Sequence, residues 1–224
     1  TVLDDYFDTI RTLPAFAKVA AHDVTIRNHH LQEAKPLAEQ LQDAEALVLI
    51  RERTQITDAL LERLPNLRLI SQRGGYPHID VAACTRLGIV VSSAQPTDNT
   101  PSYATVELTW GLIIASMREL PAQMASLKGG TWQMGVGRSL RGKTLGVYGY
   151  GRIGKAVAEI GTAFGMDVQF WAREESRADA RSAGHHVAGS REAFFATSDV
   201  VTVHVRLLPE TRGLITAADL AHMR

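Results

Sequence analysis

Short apolar runs alternate with amphipathic segments from Thr1 to about Ala94. The runs are rich in β-branched residues and fit buried parallel strands better than half-exposed ones. The segments between them, 31–41 and 57–64, have the apolar spacing of helices, and Thr57 is placed to cap the second. This order predicts an open parallel sheet covered by helices on both faces. The strand candidates are Val2-Leu3, Val24–Ile26, Leu47–Ile50, Leu67–Ile70 and Ile89–Val91.

A polar stretch, residues 95–101, interrupts this pattern and contains two prolines and no apolar period. A long helix is predicted after it, from about Ser102 to Leu127, and Gly129-Gly130 follow its end. Its expected buried face consists of Val106, Leu112, Ile113 and Met117. We therefore expect residues 95–130 to form a hinge and a linking helix between two domains.

The same alternation of strands and helices returns in residues 131–224. Strands are predicted at 144–148, 168–171, 186–188 and 200–205, and helices at 153–163, 177–183, 192–196 and 216–222. The fold class that follows is α/β, with two doubly wound parallel-sheet domains at residues 1–94 and 131–224.

Composition excludes several functional classes. The 24 basic and 24 acidic residues balance, so the chain has no net field to attract nucleic acid or an anionic membrane. Cys84 is the one cysteine, which fits a reducing compartment, and no apolar run or signal segment is long enough to indicate membrane insertion or secretion. A cytoplasmic location is the expectation.

Gly149, Gly151 and Gly154 form a G-x-G-x-x-G sequence between a predicted strand and a predicted helix. In such a turn the first glycine allows the chain to leave the strand, and the second lets a diphosphate approach the backbone. The third lets helix and strand pack closely, and the N–H groups of Arg152 and Ile153 would face the phosphates. The pattern predicts a dinucleotide site; the alternative is a glycine-rich loop without a ligand.

The end of the next strand bears on which dinucleotide binds. An NAD site usually has an acidic residue there, whereas this chain has Trp171-Ala172-Arg173. Arg173 can pair with a 2′-phosphate, which favours NADP(H) over NAD(H). The alternative is a solvated arginine neutralised by Glu174 and Glu175.

Six segments along the chain form a recognisable set of motifs: Gly149-Tyr150-Gly151-Arg152-Ile153-Gly154, Ala163–Met166, Arg73–Asp80, Val106–Thr109, Val203–Leu207 and Pro209-Glu210-Thr211. Together they resemble the D-isomer-specific 2-hydroxyacid dehydrogenases, which include phosphoglycerate dehydrogenase and glyoxylate/hydroxypyruvate reductase. The resemblance extends over essentially the whole chain and implies a flavodoxin-like substrate domain followed by an incomplete Rossmann domain.

The resemblance also implies site residues and partners. In relatives the segment matching Arg73, Gly74, Gly75 and Tyr76 grips the substrate carboxylate through backbone N–H groups, and the glycines here permit such a nest. The segment matching His204, Val205 and Arg206 lies beside the nicotinamide, and Arg206 stands where relatives commonly have proline. The implied activity is hydride transfer between NAD(P)H and a small 2-oxo or 2-hydroxy acid in a homodimer.

No residue of this chain is assigned a catalytic role. Relatives supply an arginine, a glutamate and a histidine from segments that would lie beyond Arg224, so we expect a longer parent protein and an inactive isolated chain. His204 is not the histidine that moves the proton in the family. A dinucleotide-sensing corepressor and a formate-type dehydrogenase on the same scaffold are the alternative functions.

The remaining reactive side chains have structural interpretations. His29-His30 and His185-His186 have no acidic or cysteine partners at metal-ligand spacing and are expected at the solvated surface, so no metal is predicted. Cys84 is expected to be a small buried residue on a helix spanning 81–87.

Overall fold

The computed structural model describes residues 1–94 and 102–223 of the 224-residue chain. The chain divides into two compact units, Thr1–Asp98 and Asn99–Arg224, and each contains a three-stranded parallel sheet. The start of the predicted hinge, residues 95–101, lies outside the described residues. The α/β class with parallel sheets and flanking helices is confirmed.

The sheet of the first unit has the order β1-β2-β3, with β1 at Ala46–Leu49, β2 at Leu69–Arg73 and β3 at Val90–Ala94. Val2 adds single parallel bridges to Ile26 on one side and to Val48 of β1 on the other. The resulting order, Ile26, Val2, β1, β2, β3, is that of flavodoxin-like sheets. The predicted strand at 24–26 is thus present only as one bridge.

Three helices cover one face of this sheet: α1 at Ala34–Leu41, α2 at Asp58–Leu61 and α3 at Val81–Leu87. The Thr57 side chain accepts from the N–H of Leu60 at the start of α2, as predicted. Leu47 and Ile70 point into the core under these helices and are fully buried. Alternate strand residues face the other way, and Val90 there is 62% exposed. Short 3₁₀ helices, Ile10–Thr12 and Pro14–Val19, precede α1.

The long helix predicted over 102–127 is two helices, α4 at Tyr103–Met117 and α5 at Leu120–Lys128. The helical conformation is interrupted at Glu119, which has a left-handed φ of 54°. Pro121 explains the break, because its ring nitrogen cannot donate to the Met117 carbonyl and its ring would clash with that group. The Met117 carbonyl instead accepts from the N–H of Arg138 at 2.7 Å.

The buried face of α4 also differs from the expectation at one position. Leu112 is 62% exposed, whereas Trp110 is buried and its ring lies 4.9 Å from that of Phe164. The buried stripe is Val106, Trp110, Ile113 and Met117, whose spacing of four, three and four keeps to one helix face. Through this stripe α4 packs into the core of the second unit.

The sheet of the second unit has the order β5-β4-β6, with β4 at Thr144–Tyr148, β5 at Asp167–Trp171 and β6 at Val200–Val203. The predicted strand at 186–188 is a single parallel bridge from Val187 to Phe170 of β5. Counting that bridge, the order corresponds to 3-2-1-4 of dinucleotide-binding sheets. The helices are α6 at Arg152–Ala163, α7 at Glu174–Ser182, α8 at Arg191–Thr197 and α9 at Ala217–Ala221, with a 3₁₀ turn at Pro209–Thr211.

An ion pair ties α9 to α8. The Asp219 carboxylate accepts two bonds from the Arg191 guanidinium, at 2.7 and 2.8 Å. It also accepts from the N–H and the hydroxyl of Thr216, which caps α9, both at 2.7 Å. Arg191 additionally donates to the Leu214 carbonyl. One carboxylate therefore fixes both the start of α9 and its attachment to α8.

Candidate dinucleotide and carboxylate sites

The turn between β4 and α6 depends on Gly149. Its φ of 117° is one that side chains disfavour, and an added Cβ would lie 2.6 Å from the His204 carbonyl oxygen. Its N–H donates to the Trp171 carbonyl at 2.7 Å. Gly149 therefore lets the chain turn between the carboxyl ends of β5 and β6, where open α/β sheets bind ligands.

Gly154 and Gly151 have different reasons for lacking a side chain. A Cβ on Gly154 would lie 2.3 Å from the Gly149 carbonyl oxygen, so this glycine allows α6 to pack against the turn. Gly151 has an ordinary extended conformation, with φ −99° and ψ −175°, and a Cβ there would meet nothing within 4 Å. The packing of the protein does not require a glycine at Gly151, but a ligand that approaches the backbone would.

The N-terminus of α6 supplies donors beside this open space. The first bond inside the helix runs from the N–H of Lys155 to the Gly151 carbonyl at 3.0 Å. The preceding N–H groups of Ile153 and Gly154 have no acceptor one turn earlier within the helix, and the helix dipole adds positive potential there. This arrangement fits the diphosphate of a dinucleotide.

Tyr150, also predicted to contact the cofactor, turns its ring into the protein. The ring meets those of Phe170 and His185 edge-on, at 5.0 and 5.5 Å, and Lys155 Nζ lies 4.1 Å from its centre. Any contact of Tyr150 with a bound phosphate would therefore involve its backbone.

Trp171, Ala172 and Arg173 lie at the carboxyl end of β5, and Arg173 is the exposed N-cap residue of α7. The suggested neutralisation of Arg173 by Glu174 is wrong, because Glu174 pairs with Arg177 and Arg181 instead. Within residues 1–94 and 102–223, no ion pair includes Arg173. Its guanidinium is therefore available to an anionic ligand.

Arg177 is a neighbour of this position that the sequence interpretation missed. Its guanidinium carbon lies 4.1 Å from the centre of the Trp171 ring, and its side chain is only 18% exposed. Arg173, Arg177 and Arg181 recur every four residues, which places them on one helix face. That spacing was a usable signal for a basic cluster at the end of β5.

His204, Val205 and Arg206 follow β6 and pass beside Gly149. The His204 N–H donates to the Tyr148 carbonyl at 2.8 Å, and its ring Nε2 lies 2.9 Å from the Thr202 hydroxyl. Burial lowers the pKa of His204 below its ordinary value of 6.5. Burial therefore favours the neutral form of a ring whose Nε2 is already hydrogen-bonded to Thr202.

The predicted carboxylate loop, Arg73–Tyr76, follows β2 in the first unit. Gly74 has a φ of 94°, as a nest requires, but its N–H donates to the Ala94 carbonyl at 3.1 Å. Gly74 therefore cannot offer that N–H to a substrate, contrary to the simplest form of the prediction. Arg73 is exposed and Tyr76 is 39% exposed. A cavity of about 290 Å³ beside the loop is lined by Tyr76, Val81, Val91 and Ser93.

Most of the other reactive side chains have the burial or exposure that the sequence predicts. Cys84 is a buried free thiol on α3, and burial followed by the charge of Asp80 raises its pKa. His29, His185 and His186 are exposed, whereas His30 has an acidic partner distant in sequence, with Nδ1 3.0 Å from the Asp4 carboxylate. The described residues contain no group of three potential metal ligands. They also contain no helix with the length and apolarity to cross a membrane.

Two named relatives align with most of this chain. Glyoxylate reductase from Aeropyrum pernix is 39% identical over 178 residues, which is 74% of this chain and 51% of that protein. D-3-phosphoglycerate dehydrogenase from Methanocaldococcus jannaschii is 37% identical over 84% of this chain and 36% of its own length. The chain thus spans about half or less of these relatives.

Solved structures are similar over the whole chain. A putative D-3-phosphoglycerate dehydrogenase from Ralstonia solanacearum shares 46% identity and a TM-score of 0.88, and 69% of that chain is covered. A phosphoglycerate oxidoreductase from Vibrio cholerae shares 44% identity with the same TM-score over 71% of its chain. Residues 110–224 match the model for the NAD-binding domain of D-isomer specific 2-hydroxyacid dehydrogenases. The chain therefore belongs to the D-isomer specific 2-hydroxyacid dehydrogenase family and carries its NAD-binding domain.

Proposed function

We propose that the protein containing this chain transfers a hydride between NAD(P)H and a small 2-oxo or 2-hydroxy acid, specifically for the D isomer. The open space at Gly151, beside the N-terminus of α6, is the observation that carries the proposal. The relatives support it by name as reductases and dehydrogenases. A D-lactate dehydrogenase from Aquifex aeolicus with 27% identity and a TM-score of 0.69, solved with NAD and lactic acid, supports the ligand classes.

The test uses the full-length protein that contains this sequence. Titration with NADH and NADPH, followed by fluorescence, should give saturable binding of at least one. Glyoxylate, hydroxypyruvate and pyruvate should then oxidise the bound nicotinamide, and chiral chromatography should find the D product where the product is chiral. Binding without turnover of any 2-oxo acid would contradict the enzyme and favour the dinucleotide-sensing alternative.

The two ligands are proposed to bind to different parts of the chain. Residues 1–94 would form the substrate domain, with the loop Arg73–Tyr76 receiving the carboxylate, and residues 131–224 the dinucleotide domain. Residues 95–130 would form the hinge and link. No residue of this chain is proposed to carry the reacting proton. The buried free thiol of Cys84 fits the proposed cytoplasmic location.

NADP(H) is the proposed preferred cofactor. Ala172 occupies the position where an acid would bind the ribose hydroxyls, and Arg173 next to it has no ion-pair partner in the described part of the chain. A guanidinium in that position offers paired donors that match phosphate geometry. Arg177, stacked on Trp171 at the same strand end, is paired with Glu174, so Arg173 is the cation there that has no ion-pair partner among the described residues.

Arg173→Asp is expected to reverse this preference. Loss of charge-assisted bonds to a 2′-phosphate should raise the Kd for NADPH about tenfold to a hundredfold, while NADH binding stays the same or improves. The measurement is the ratio of the two Kd values. Arg141→Asp makes the same charge change at an exposed position before β4, at the opposite end of the same sheet, and should leave the ratio unaltered. An unchanged ratio in Arg173→Asp would contradict the NADP(H) proposal.

A homodimer is also proposed. The helices α4 and α5 and the segment after them carry large apolar side chains that the unit itself leaves exposed, and burying them against a second copy would be favourable. Sedimentation equilibrium of the full-length protein measures the oligomeric mass directly. The exposed fractions are 64% for Leu108, 62% for Leu112, 59% for Met124, 56% for Leu127, 82% for Trp132 and 82% for Val136.

A further inference from the structure

A buried glutamine, Gln72, lies near the carboxyl end of β2. Gln72 is 3% exposed and shares one face of the strand with Ile70, which is fully buried. Within the described residues its Oε1 is buried without a hydrogen-bond partner. A buried amide with an unpaired oxygen costs stability relative to an apolar side chain of the same shape. The stability of the core therefore does not account for Gln72.

The amide nitrogen of Gln72 is hydrogen-bonded to the carboxylate loop, Arg73–Tyr76. Gln72 Nε2 donates to the Arg73 carbonyl at 3.3 Å and to the Gly75 carbonyl at 3.1 Å. The carbonyl between them, that of Gly74, accepts from the Ser93 hydroxyl on β3 at 2.7 Å. Side chains from two neighbouring strands thus hold three successive loop carbonyls.

Holding the carbonyls also sets the direction of the N–H groups. In a planar trans peptide the C=O of one residue and the N–H of the next point in opposite directions. The Gly75 N–H therefore points away from Ser93, and the Tyr76 N–H points away from the buried Gln72. The third N–H, that of Gly74, is already bonded to Ala94. Two successive N–H groups remain, and a carboxylate can accept a bond on each oxygen.

We propose that Gln72 and Ser93 are positioning residues that aim the Gly75 and Tyr76 N–H groups at the carboxylate of the substrate. They act through the loop backbone and do not touch the substrate. This inference rests on the proposed function, because it takes a 2-oxo or 2-hydroxy acid as the ligand of the loop. The predicted carboxylate site, Arg73–Tyr76, is thereby reduced to two backbone donors. The positioning role also explains why β2 carries a polar residue on its buried face.

The experiment compares substrates with and without the carboxylate in the full-length protein. Gln72→Met keeps the size of the side chain but loses both bonds to the loop, and Ser93→Ala loses the bond to Gly74. Each should raise the KM for pyruvate about tenfold, because the loop N–H groups would no longer be aligned with the charged carboxylate. The kcat should change less than about threefold. The KM for pyruvamide, which lacks the charge, should change little. Ser93→Thr keeps the hydroxyl and should restore the wild-type KM for pyruvate.

Gln169→Met is the matched control. Gln169 is also a buried glutamine in a parallel strand, and its Nε2 donates to the Phe194 carbonyl and to the hydroxyls of Thr197 and Ser198. This variant should lose stability without changing the ratio of the two KM values. The Kd for the nicotinamide cofactor should match the wild type in every variant, which shows that the second unit is intact.

The outcomes separate the inference from the function it rests on. Equal KM increases for pyruvate and pyruvamide, or no KM increase at all in Gln72→Met, would overturn the positioning role while the reductase activity stands. A wild-type protein that reduces no 2-oxo acid would instead overturn the proposed function. If Gln72→Met does not fold, Ser93→Ala and its threonine rescue decide the inference.

Discussion

Replacing Gly151 with valine should abolish tight dinucleotide binding and leave the fold intact. The backbone at Gly151 is extended, and nothing in the protein lies within 4 Å of an added Cβ. Valine is a poorer N-cap residue than glycine, so a stability loss of up to about 1 kcal/mol is expected. A branched side chain would occupy the space needed by the diphosphate and should raise the cofactor Kd about a hundredfold. Fluorescence titration and urea unfolding measure the two effects separately.

Two other glycines provide the controls for this prediction. Gly189→Val changes a glycine of the same unit that also has open space around it and no positive φ, and it should leave the Kd unchanged. Gly154→Ala places a Cβ 2.3 Å from the Gly149 carbonyl and should lower stability by about 1 to 3 kcal/mol before any effect on binding is considered. Normal cofactor affinity in Gly151→Val would mean that the diphosphate does not approach this turn.

Removing the Asp219 carboxylate should produce the largest stability loss among single surface-proximal substitutions in the second unit. Asp219→Ala leaves Arg191 without its partner and removes the Thr216 contacts that start α9. The expected loss is about 2 to 3 kcal/mol, below the figure for fully buried pairs because the Arg191 side chain is 30% exposed. Urea unfolding at neutral pH measures it. Asp167→Ala, at an exposed position, should stay within about 0.5 kcal/mol.

The same carboxylate predicts acid sensitivity. The Arg191 guanidinium, with help from Thr216, holds the pKa of Asp219 far below its ordinary value of 3.8. Because the pKa is depressed in the folded state, the stabilisation is complete above the unfolded value and declines as the pH falls below it. The stability difference between wild type and Asp219→Ala should therefore shrink as the pH falls below about 4. A constant difference down to pH 3 would contradict the ion pair as its source.

Much of the fold could be predicted from local patterns. The strands β4 and β5, the helix α3 and the capping of α2 by Thr57 agree closely with the sequence, because apolar period and capping chemistry are local properties. The break at Glu119 could have been predicted from Pro121, whose helix-breaking effect is also local. The reduction of 24–26 and 186–188 to single bridges could not, since strand length depends on the neighbouring strand.

The candidate sites show a similar division. The roles proposed for Gly149, Gly151 and Gly154 come from their spacing, and the structure adds which of the three the packing of the protein itself requires. The ion pairs of Glu174 and the bond from Gly74 to Ala94 depend on rotamers and on strand register, which sequence spacing does not specify. Gln72 gave no signal, because the strand predicted from the sequence ended at Ile70, and the partners of Gln72 became apparent only with the loop in place.

The central position of β4 has a consequence for synthesis. The turn at Gly149 is held by Trp171 on one side, and the His204 N–H bonds to Tyr148 on the other. During translation the turn emerges first, the support from Trp171 follows with β5, and the support from His204 is absent until β6 has left the ribosome. A nascent chain should therefore acquire affinity for nucleotide late, and nucleotide in the surrounding medium should then stabilise the completed sheet by mass action.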